Sequence, residues 1–264
     1  MKKDYRTICR LLRAYFSSLD KNVLQIHAIR GTIYLYAVIV GRLGALSDNN
    51  ICLIGLCGRS GSGKSFVARM LSKLGIPVVD TDAVYREMTA SPSDGRLSEC
   101  MQDLVREFGE RILTPDLSLD RKALADIVFA PDGGEKRARL NAITHKYILG
   151  ETDRRIAEHS RNGAWAAAVD APLLFESGYD KRCDHIVAAS APEETLIKRI
   201  VSRDGLTEEG ARRRLAVQLS EEEIRRRAHF IIETDVDAEL LLCRVAEVTE
   251  QIRKKYASGK VKCP

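Results

Sequence analysis

The sequence lacks an apolar segment long enough to span a bilayer. Its longest apolar run, residues 33–40, has eight residues, whereas a spanning helix needs about 18. The first twenty residues are polar and mixed in charge, a composition that fits a secretory signal peptide poorly. We therefore expect no stable membrane insertion.

The cysteines lack the spacing of a disulfide framework or a zinc site. The chain has seven, an odd number, scattered along its length without a Cys-x-x-Cys motif. Reduced thiols are the simpler interpretation, and they predict a cytoplasmic protein.

Neither sign of charge dominates the chain. Forty-two lysines and arginines oppose 37 acidic residues, which leaves a net charge of +5. This excess is compatible with a nucleotide or nucleic acid as ligand but does not require one. The 264 residues suffice for one substantial α/β domain with small appendages. We find no internal repeat and no low-complexity tract.

Residues 1–50 differ in pattern from the rest of the chain. Apolar residues recur there at helical spacing between lysines and arginines, and a β-prone run and a polar break follow. A helix that packs on the main domain, an irregular extension, and a basic amphipathic helix that touches a membrane or a partner all fit this pattern. An upstream start that the cell does not use is a fourth interpretation.

From residue 51 onward, strand and helix patterns alternate. Short apolar runs at residues 51–57, 77–80, 164–171, 185–190 and 230–232 predict buried strands. The segments between them predict helices, the last of them at residues 238–255. Trp165 lies within one of these strands and is expected in the core. Alternating strands and helices predict a parallel sheet that is covered on both faces.

A glycine-rich segment matches the pattern G-x-x-x-x-G-K-[ST] in full and lies between a predicted strand and a predicted helix. Its glycines let backbone N–H groups turn inward around a phosphate, and the following helix points its positive end at the same place. Lysine reaches the β- and γ-oxygens, and the last hydroxyl binds Mg²⁺. We expect ATP to contact the whole segment: Gly58, Arg59, Ser60, Gly61, Ser62, Gly63, Lys64 and Ser65.

Three residues around this segment carry two interpretations each. Cys57, just before it, is either an oxidisable thiol or a small buried residue at the end of a strand, and we favour burial. Asp80 and Asp82 follow the second strand, at the edge where open α/β sheets bind ligands. One carboxylate polarises the attacking hydroxyl, and the other holds Mg²⁺-bound water or a substrate group. Alternatively, Asp82 caps the following helix.

Several separate motifs, in order, resemble those of the dephospho-CoA kinase family. The resemblance covers about residues 51–252, and the motifs together are specific although each alone is weak. After the glycine-rich loop they are VVDTDAVYREM, LDRKALADIVF, LNAITHKYI, VDAPLLFESGYD, and the lid-like APEETLIKRIVSRDGLTEEGARRRLAVQLSEEE.

The resemblance implies transfer of the ATP γ-phosphate to the ribose 3′-hydroxyl of dephospho-CoA, with Mg²⁺ beside the ATP. Asp82 matches the proposed general base, and Arg199 matches a lid arginine that approaches the transferred phosphate together with Arg203. The acceptor pocket is expected to include Arg86, Arg121, His145 and Glu176, and Asp80 to contact the substrate. A solvated helix face is the favoured interpretation of Arg212, Arg213 and Arg214.

The sequence departs from the family pattern at several positions. Arg59 and Ser60 replace the usual Gly-Ile, so a bulky cation lies in the loop. Lys146 follows His145 where proline is usual, and residues 231–234 replace the usual Ile-x-Asn ending. The first fifty residues have no counterpart in the family.

Two other classes of function remain as alternatives. A nucleoside monophosphate kinase shares the loop and a lid but has a different acceptor segment. A nucleic-acid-binding nucleotide switch needs a basic face without interleaved acids, and the arginine-rich stretch at 199–227 carries many acids. A structural or membrane role would rest on residues 1–46 alone.

The patterns therefore predict an α/β P-loop fold with three layers, a parallel sheet of about five strands, a helical acceptor-binding region and a helical lid. We expect an extension at 1–50, a kinase domain at 51–256 and a tail at 257–264. Within the domain, the core comprises residues 51–82 and 164–256, the acceptor-binding region 83–160 and the lid 199–228.

Overall fold

The computed structural model describes residues 51–130 and 134–259. One parallel sheet lies at the centre, with strand order β2-β3-β1-β4-β5. The predicted five-stranded parallel sheet is confirmed. The strands are β1 Cys52–Cys57, β2 Val78–Asp80, β3 Ala166–Asp170, β4 His185–Ser190 and β5 Phe230–Glu233.

The central strands are apolar because the sheet is covered on both faces. Every residue of β3 and β4 is buried, as expected when helices pack on both sides of a parallel sheet. Trp165 is 5% exposed and lies one residue before β3, where its carbonyl accepts the N–H of Cys52 at 2.9 Å. Its predicted place in the core is confirmed.

Nine α-helices lie in the described part of the chain. One of them connects β1 to β2, four connect β2 to β3, three connect β4 to β5, and the last follows β5. Their bounds are α1 Lys64–Lys73, α2 Thr81–Met88, α3 Glu99–Phe108, α4 Arg121–Val128, α5 Gly134–Arg161, α6 Glu193–Asp204, α7 Glu208–Ala216, α8 Glu221–Arg227 and α9 Ala238–Ala257.

Helices cover the sheet as two outer layers. On one face, the apolar sides of α1 and α9 form a single core cluster with β1 and β5. On the other face, Ile156 of α5 packs in a cluster with Val79 and Val169 of the sheet. Helices α3 and α4 share a separate apolar cluster with partly buried residues of α2 and α5. The predicted three-layer arrangement is confirmed.

The parallel strands all end at the same edge of the sheet. Asp80 of β2 lies beside Asp170 of β3, which in turn lies beside Leu56 of β1. Ser190 of β4 lies beside Glu233 of β5. Loops and helix N-termini that follow these strands therefore converge on one edge, where ligand sites of open α/β sheets form.

The interpretations of residues 1–50 lie outside the described residues. The division of the chain into core, acceptor-binding region, lid and tail stays a prediction. Across residues 51–130 and 134–259, no helix has the length and apolar character that a membrane span requires.

Candidate active site

The glycine-rich loop joins β1 directly to the first turn of α1. Gly63 is the N-cap of α1 and has φ 82°, a left-handed conformation that glycine adopts without strain. A Cβ at Gly61 would lie 2.7 Å from the carbonyl oxygen of Leu196, so α6 packs closely against the loop. The backbone therefore turns at the N-terminus of α1, where N–H groups are free to bind phosphate.

Lys64 and Asp170 form an ion pair at the carboxyl edge of the sheet. Lys64 is the first residue of α1, and its ammonium donates to Oδ1 of Asp170 at the end of β3. Both side chains are largely buried, at 16% and 10% exposure. The loop lysine is thus held beside the loop by a carboxylate from the neighbouring strand.

The environment of Asp170 opposes its charge. Burial raises the pKa of this carboxyl, the Lys64 ammonium acts in the opposite direction, and Asp80 and Asp82 raise it further. Asp80 and Asp82 therefore lie close enough to Asp170 for their charges to be felt. A cation at this edge would offset the repulsion among the three carboxylates.

The oxygen donors at this edge fit a magnesium ion held together with nucleotide phosphates. The exposed Ser65 follows Lys64, and its hydroxyl is a hard oxygen donor like the carboxylates. Among the described residues, no three His, Cys, Asp or Glu side chains group to form a complete metal site. Mg²⁺ usually takes one or two protein ligands and completes its shell with water and phosphate.

The N-cap of α2 is Asp80, so the alternative interpretation of Asp82 as the cap is wrong. Oδ1 of Asp80 accepts the N–H groups of Asp82 at 2.9 Å and Ala83 at 3.1 Å. The helix therefore begins at Thr81, and Asp82 lies in its first turn, exposed. Among the described residues, no hydrogen bond or ion pair engages the Asp82 carboxylate, which is available to a substrate.

The side chain of Arg199, on α6, contacts the backbone of the phosphate loop. Nη1 donates to the Gly61 carbonyl at 3.1 Å and to Oγ1 of Thr234 at 3.0 Å, while Nη2 donates to the Thr234 carbonyl at 3.0 Å. Thr234, which is buried, donates its hydroxyl to the Ser62 carbonyl at 2.6 Å. The threonine therefore connects the loop, the end of β5 and the arginine.

Arg203 lies one turn beyond Arg199 and has a different environment. Its guanidinium pairs with Asp204 at 2.8 Å and is 62% exposed. Asp204 also pairs with Arg214 of α7. Arg203 therefore keeps much of its surface open to the space above the loop.

The neighbouring arginines of α7 lie on a solvated face, as the sequence indicated. Arg212 lies 3.6 Å from Glu193, and Arg213 lies 3.4 Å from Glu209 with 74% of its side chain exposed. Exposed pairs of this kind contribute little to stability.

A cavity of about 840 Å³ opens above the phosphate loop, a size within the range of small-molecule sites. It brings together most of the predicted site residues. The predicted residues in its lining are Gly58, Arg59, Ser60, Gly61, Ser62, Gly63, Lys64, Ser65, Asp82, Glu176, Arg199 and Arg203.

Four predicted substrate contacts lie outside this lining within the described part of the chain. Arg86 is 3.5 Å from Asp80 at the start of α2, and the Arg121 guanidinium lies 5.9 Å from the centre of the Tyr85 ring. His145 is partly exposed on α5. The structure therefore places Asp80 at the end of β2 and the other three residues on helices, outside the wall of the cavity.

Cys57 is a structural residue at the end of β1. It is 3% exposed, and burial raises the pKa of its thiol to about 12. The thiolate is the reactive form of cysteine, so this thiol is unreactive near neutral pH. The preferred interpretation of a small buried residue is confirmed.

Sequence reasoning missed three residues of the site. Asp170 and Gln218 lie within quoted motifs that assign them no role, and Thr234 lies in a segment that departs from the family pattern. Oε1 of Gln218 accepts the N–H of Ser60 at 3.0 Å. The sequence does offer one signal for Asp170, since it is a polar residue at the carboxyl end of a predicted parallel strand. The sequence does not show, however, that this strand lies next to the strand that precedes the phosphate loop.

Comparisons with known proteins show the family to which the chain belongs. The family model for dephospho-CoA kinase matches residues 52–239. A dephospho-CoA kinase of Geobacter sulfurreducens is 39% identical over 196 residues, which cover 74% of this chain and 96% of that protein. A dephospho-CoA kinase of Arabidopsis thaliana is 37% identical over 202 residues, which cover 76% of this chain and 84% of that protein.

Solved structures are similar over the same region. A protein of Thermus thermophilus superposes with a TM-score of 0.63 and 31% identity, with coverage of 76% of this chain and 97% of the other. A dephospho-CoA kinase from Campylobacter jejuni gives a TM-score of 0.57 and 25% identity, with coverage of 77% and 98%. Since the family model matches well over half of the chain and the relatives are covered almost completely, the chain belongs to the dephospho-CoA kinase family.

Proposed function

We propose that the protein transfers the γ-phosphate of ATP to the ribose 3′-hydroxyl of dephospho-CoA, which yields coenzyme A and ADP. The observation that carries this proposal is a single cavity in which the phosphate loop faces the free carboxylate of Asp82. Family membership supplies the identity of the acceptor. A cavity that is lined both by a phosphate-binding loop and by a carboxylate able to accept a proton supports phosphoryl transfer as the reaction.

The phosphate loop binds the triphosphate with its backbone N–H groups and with Lys64. In the structure, the Lys64 ammonium pairs with Asp170. ATP offers the lysine a stronger negative partner, so the ammonium turns from Asp170 to the β- and γ-oxygens. This exchange leaves the Asp170 carboxylate without its cation at the edge of the site.

The carboxylate of Asp170 and the hydroxyl of Ser65 would hold Mg²⁺ beside the phosphates. Bound there, the ion neutralises charge on the β- and γ-phosphate oxygens. The Asp170 carboxylate would thus be a partner either for Lys64 or for the metal.

Asp82 serves as the base that takes the proton of the attacking hydroxyl. Its carboxylate is exposed, lines the cavity and has no hydrogen-bond partner among the described residues. The Asp80 cap holds the first turn of α2, since it accepts the N–H of Asp82 itself. The base is thus mounted on a helix end rather than on a loose loop.

Arg199 and Arg203 supply positive charge on the far side of the cavity. Phosphoryl transfer develops negative charge on the equatorial oxygens, which fixed cations stabilise. Arg199 is oriented by Thr234 and the loop itself, and Arg203 is more exposed. When the lid, which residues 199–228 form, closes over the cavity, it excludes water. The γ-phosphate of ATP is then transferred to the acceptor and not to water.

The acceptor binds beside Asp82, where Glu176 lines the cavity. Asp80 contacts it from the end of β2, and Arg86, Arg121 and His145 contact it from neighbouring helices. Arginines at these positions suit a ligand with a diphosphate, because guanidinium groups bind phosphate oxygens in pairs. We also propose a cytoplasmic location, which the odd number of cysteines and their scattered spacing support.

A product analysis tests the proposal directly. The full chain is incubated with ATP, Mg²⁺ and dephospho-CoA, and the products are separated and identified by mass spectrometry. We expect coenzyme A and ADP in equal amounts, and none from Lys64→Ala. Circular dichroism checks the fold of this variant, because Asp170 loses the partner of a largely buried ion pair. ADP without coenzyme A, or near-normal turnover by Lys64→Ala, would contradict the proposal.

A further inference from the structure

The Arg59 side chain leaves the phosphate loop and reaches the C-terminal end of α7. Its Nη2 donates to the Leu215 carbonyl at 3.0 Å, and its Nη1 lies 3.6 Å from the Glu193 carboxylate. Only 9% of the arginine side chain is exposed. The bulky cation in the loop is therefore accommodated by contact with the helix, not by contact with the phosphate-binding side of the loop.

The next loop residue contacts the same helix end. The Ser60 N–H donates to Oε1 of Gln218 at 3.0 Å, and Nε2 of Gln218 donates to Oγ of Ser60 at 2.8 Å. Gln218 follows α7 after Val217, the C-cap residue. Two consecutive loop residues therefore make three hydrogen bonds to residues 215–218.

The other attachments of α7 in the described part of the chain run mainly to α6 rather than to the phosphate loop, and they include the Arg214–Asp204 pair. Ala211 and Leu215 are buried against Leu196 and Ile200 of α6, but much of its remaining surface carries exposed charged side chains. Its C-terminus carries the negative end of the helix dipole, which a cation stabilises. Arg59 supplies that cation from the phosphate loop.

We propose that Arg59 is a positioning residue that clasps α7 onto the phosphate loop before nucleotide binds. The Ser60–Gln218 pair is the second part of this clasp, defined here as residues 59, 60, 215 and 218. The guanidinium keeps its orientation even though its Nε is buried without a hydrogen-bond partner among the described residues. Contact with α7 therefore determines where this side chain lies.

The clasp prepares one wall of the nucleotide cavity. Arg59, Val217 and Gln218 all line the cavity, and Val217 is 86% exposed, open to a ligand. A wall already ordered in the free protein lowers the conformational entropy that ATP binding must overcome. This consequence for ATP rests on the proposed function, whereas the clasp itself does not.

Hydrogen exchange in the free protein tests the clasp without reference to activity. Arg59→Ala should speed amide exchange in residues 211–218 about tenfold, the factor expected when a local opening loses one hydrogen bond to a charged group. Exchange in β1 and β4 should stay unchanged. The matched control is Arg213→Ala, since Arg213 lies on the same helix with 74% exposure and should leave exchange at the wild-type rate.

Gln218→Ala cuts the second part of the clasp without altering the phosphate loop. It should also speed exchange in residues 211–218, and both variants should raise KM for ATP more than they lower kcat. Wild-type exchange in both variants would overturn the clasp. Faster exchange throughout β1 and β4 would also overturn it, because the arginine would then support the fold as a whole. If exchange in the variants is faster only in residues 211–218, and the wild type makes no coenzyme A, the clasp is upheld and the proposed function is rejected instead.

Discussion

Three carboxylates meet at the carboxyl edge of the sheet, and they have three different tasks. Asp80 caps α2, Asp170 pairs with Lys64, and Asp82 remains free in the cavity. The tasks follow from position. The capping carboxylate accepts N–H groups of its own helix, the buried one faces a cation, and the exposed one lines the cavity.

Asp82→Asn tests the base at the level of one residue. An amide cannot take a proton from the acceptor hydroxyl, so we expect kcat to fall roughly 100-fold or more, with little change in KM for ATP. Steady-state kinetics with both substrates provide the measurement. Glu87→Gln, an exposed substitution on the same helix, should behave like the wild type. An unchanged kcat for Asp82→Asn would move the role to another group, with Asp80 the next candidate.

Asp170→Asn separates nucleotide binding from metal use. The substitution removes the anionic partner of Lys64, so ATP without Mg²⁺ should bind at least as tightly as to the wild type. Turnover with Mg²⁺ should fall about 100-fold or more, since a ligand that holds the metal is lost. Calorimetry without the metal and kinetics with it distinguish the two effects. Turnover near the wild-type value would exclude Asp170 as a metal ligand.

Single residues show where sequence reasoning stops. The loop pattern identified Lys64 because its residues are adjacent in the chain. Its partner Asp170 is 106 positions away, and Thr234 is 172 positions from the Ser62 carbonyl that it contacts. Such pairs depend on which strands adjoin, and the order β2-β3-β1-β4-β5 emerges only from packing.

At the scale of elements, β4 and β5 enclose a histidine pair far from the phosphate loop. His185 begins β4 and is buried, and among the described residues neither of its ring nitrogens has a hydrogen-bond partner. Its ring lies 5.8 Å from the ring of His229, edge to face. Nδ1 of His229 accepts the N–H of Ile186 at 2.9 Å, which requires that this nitrogen carry no proton.

This pair predicts a loss of stability in mild acid. Burial lowers the pKa of His185 first, and the charges of His229 and Lys255 lower it further. The unfolded chain binds a proton below its ordinary pKa of about 6.5, while the folded protein resists it. The free energy of unfolding should therefore fall below that pH, by up to about 1.4 kcal/mol per pH unit for this group.

Thermal unfolding at pH 7.5 and pH 5.5 measures the effect. The loss of Tm between the two values should be smaller in His185→Phe, which keeps an aromatic ring in the same place but cannot bind a proton. At pH 7.5 the two proteins should unfold at similar temperatures. An equal loss of Tm in both would assign the acid sensitivity to other groups.

Elements were predicted well where periodicity was strong, and less well at their ends. The strand at residues 185–190 agrees with the structure at both ends, whereas the run at 164–171 is a strand only over Ala166–Asp170. The helix after β2 begins at Thr81 because the side chain of Asp80 reaches back to its first amides. Which of two nearby aspartates caps the helix depends on the local backbone geometry, which the amino-acid sequence alone does not reveal.

At the scale of the whole molecule, the kinase activity should reside in the region that matches the family. About 74% of this chain covers 96% of a relative, and the family model begins at residue 52. Deletion of residues 1–48 should therefore leave a soluble protein with kcat and Tm near those of the full chain. Kinetics and thermal unfolding of both forms make the comparison. An insoluble or inactive product would show that these residues complete the domain.

Acceptor choice tests the central claim most directly. The values of kcat/KM for dephospho-CoA, AMP and CMP are measured with the full chain at saturating ATP and Mg²⁺. We expect dephospho-CoA to be preferred by roughly 100-fold or more, because a site built around polar groups of one substrate rejects ligands that leave those groups unpaired. Efficient phosphorylation of AMP or CMP, with little or none of dephospho-CoA, would contradict the account.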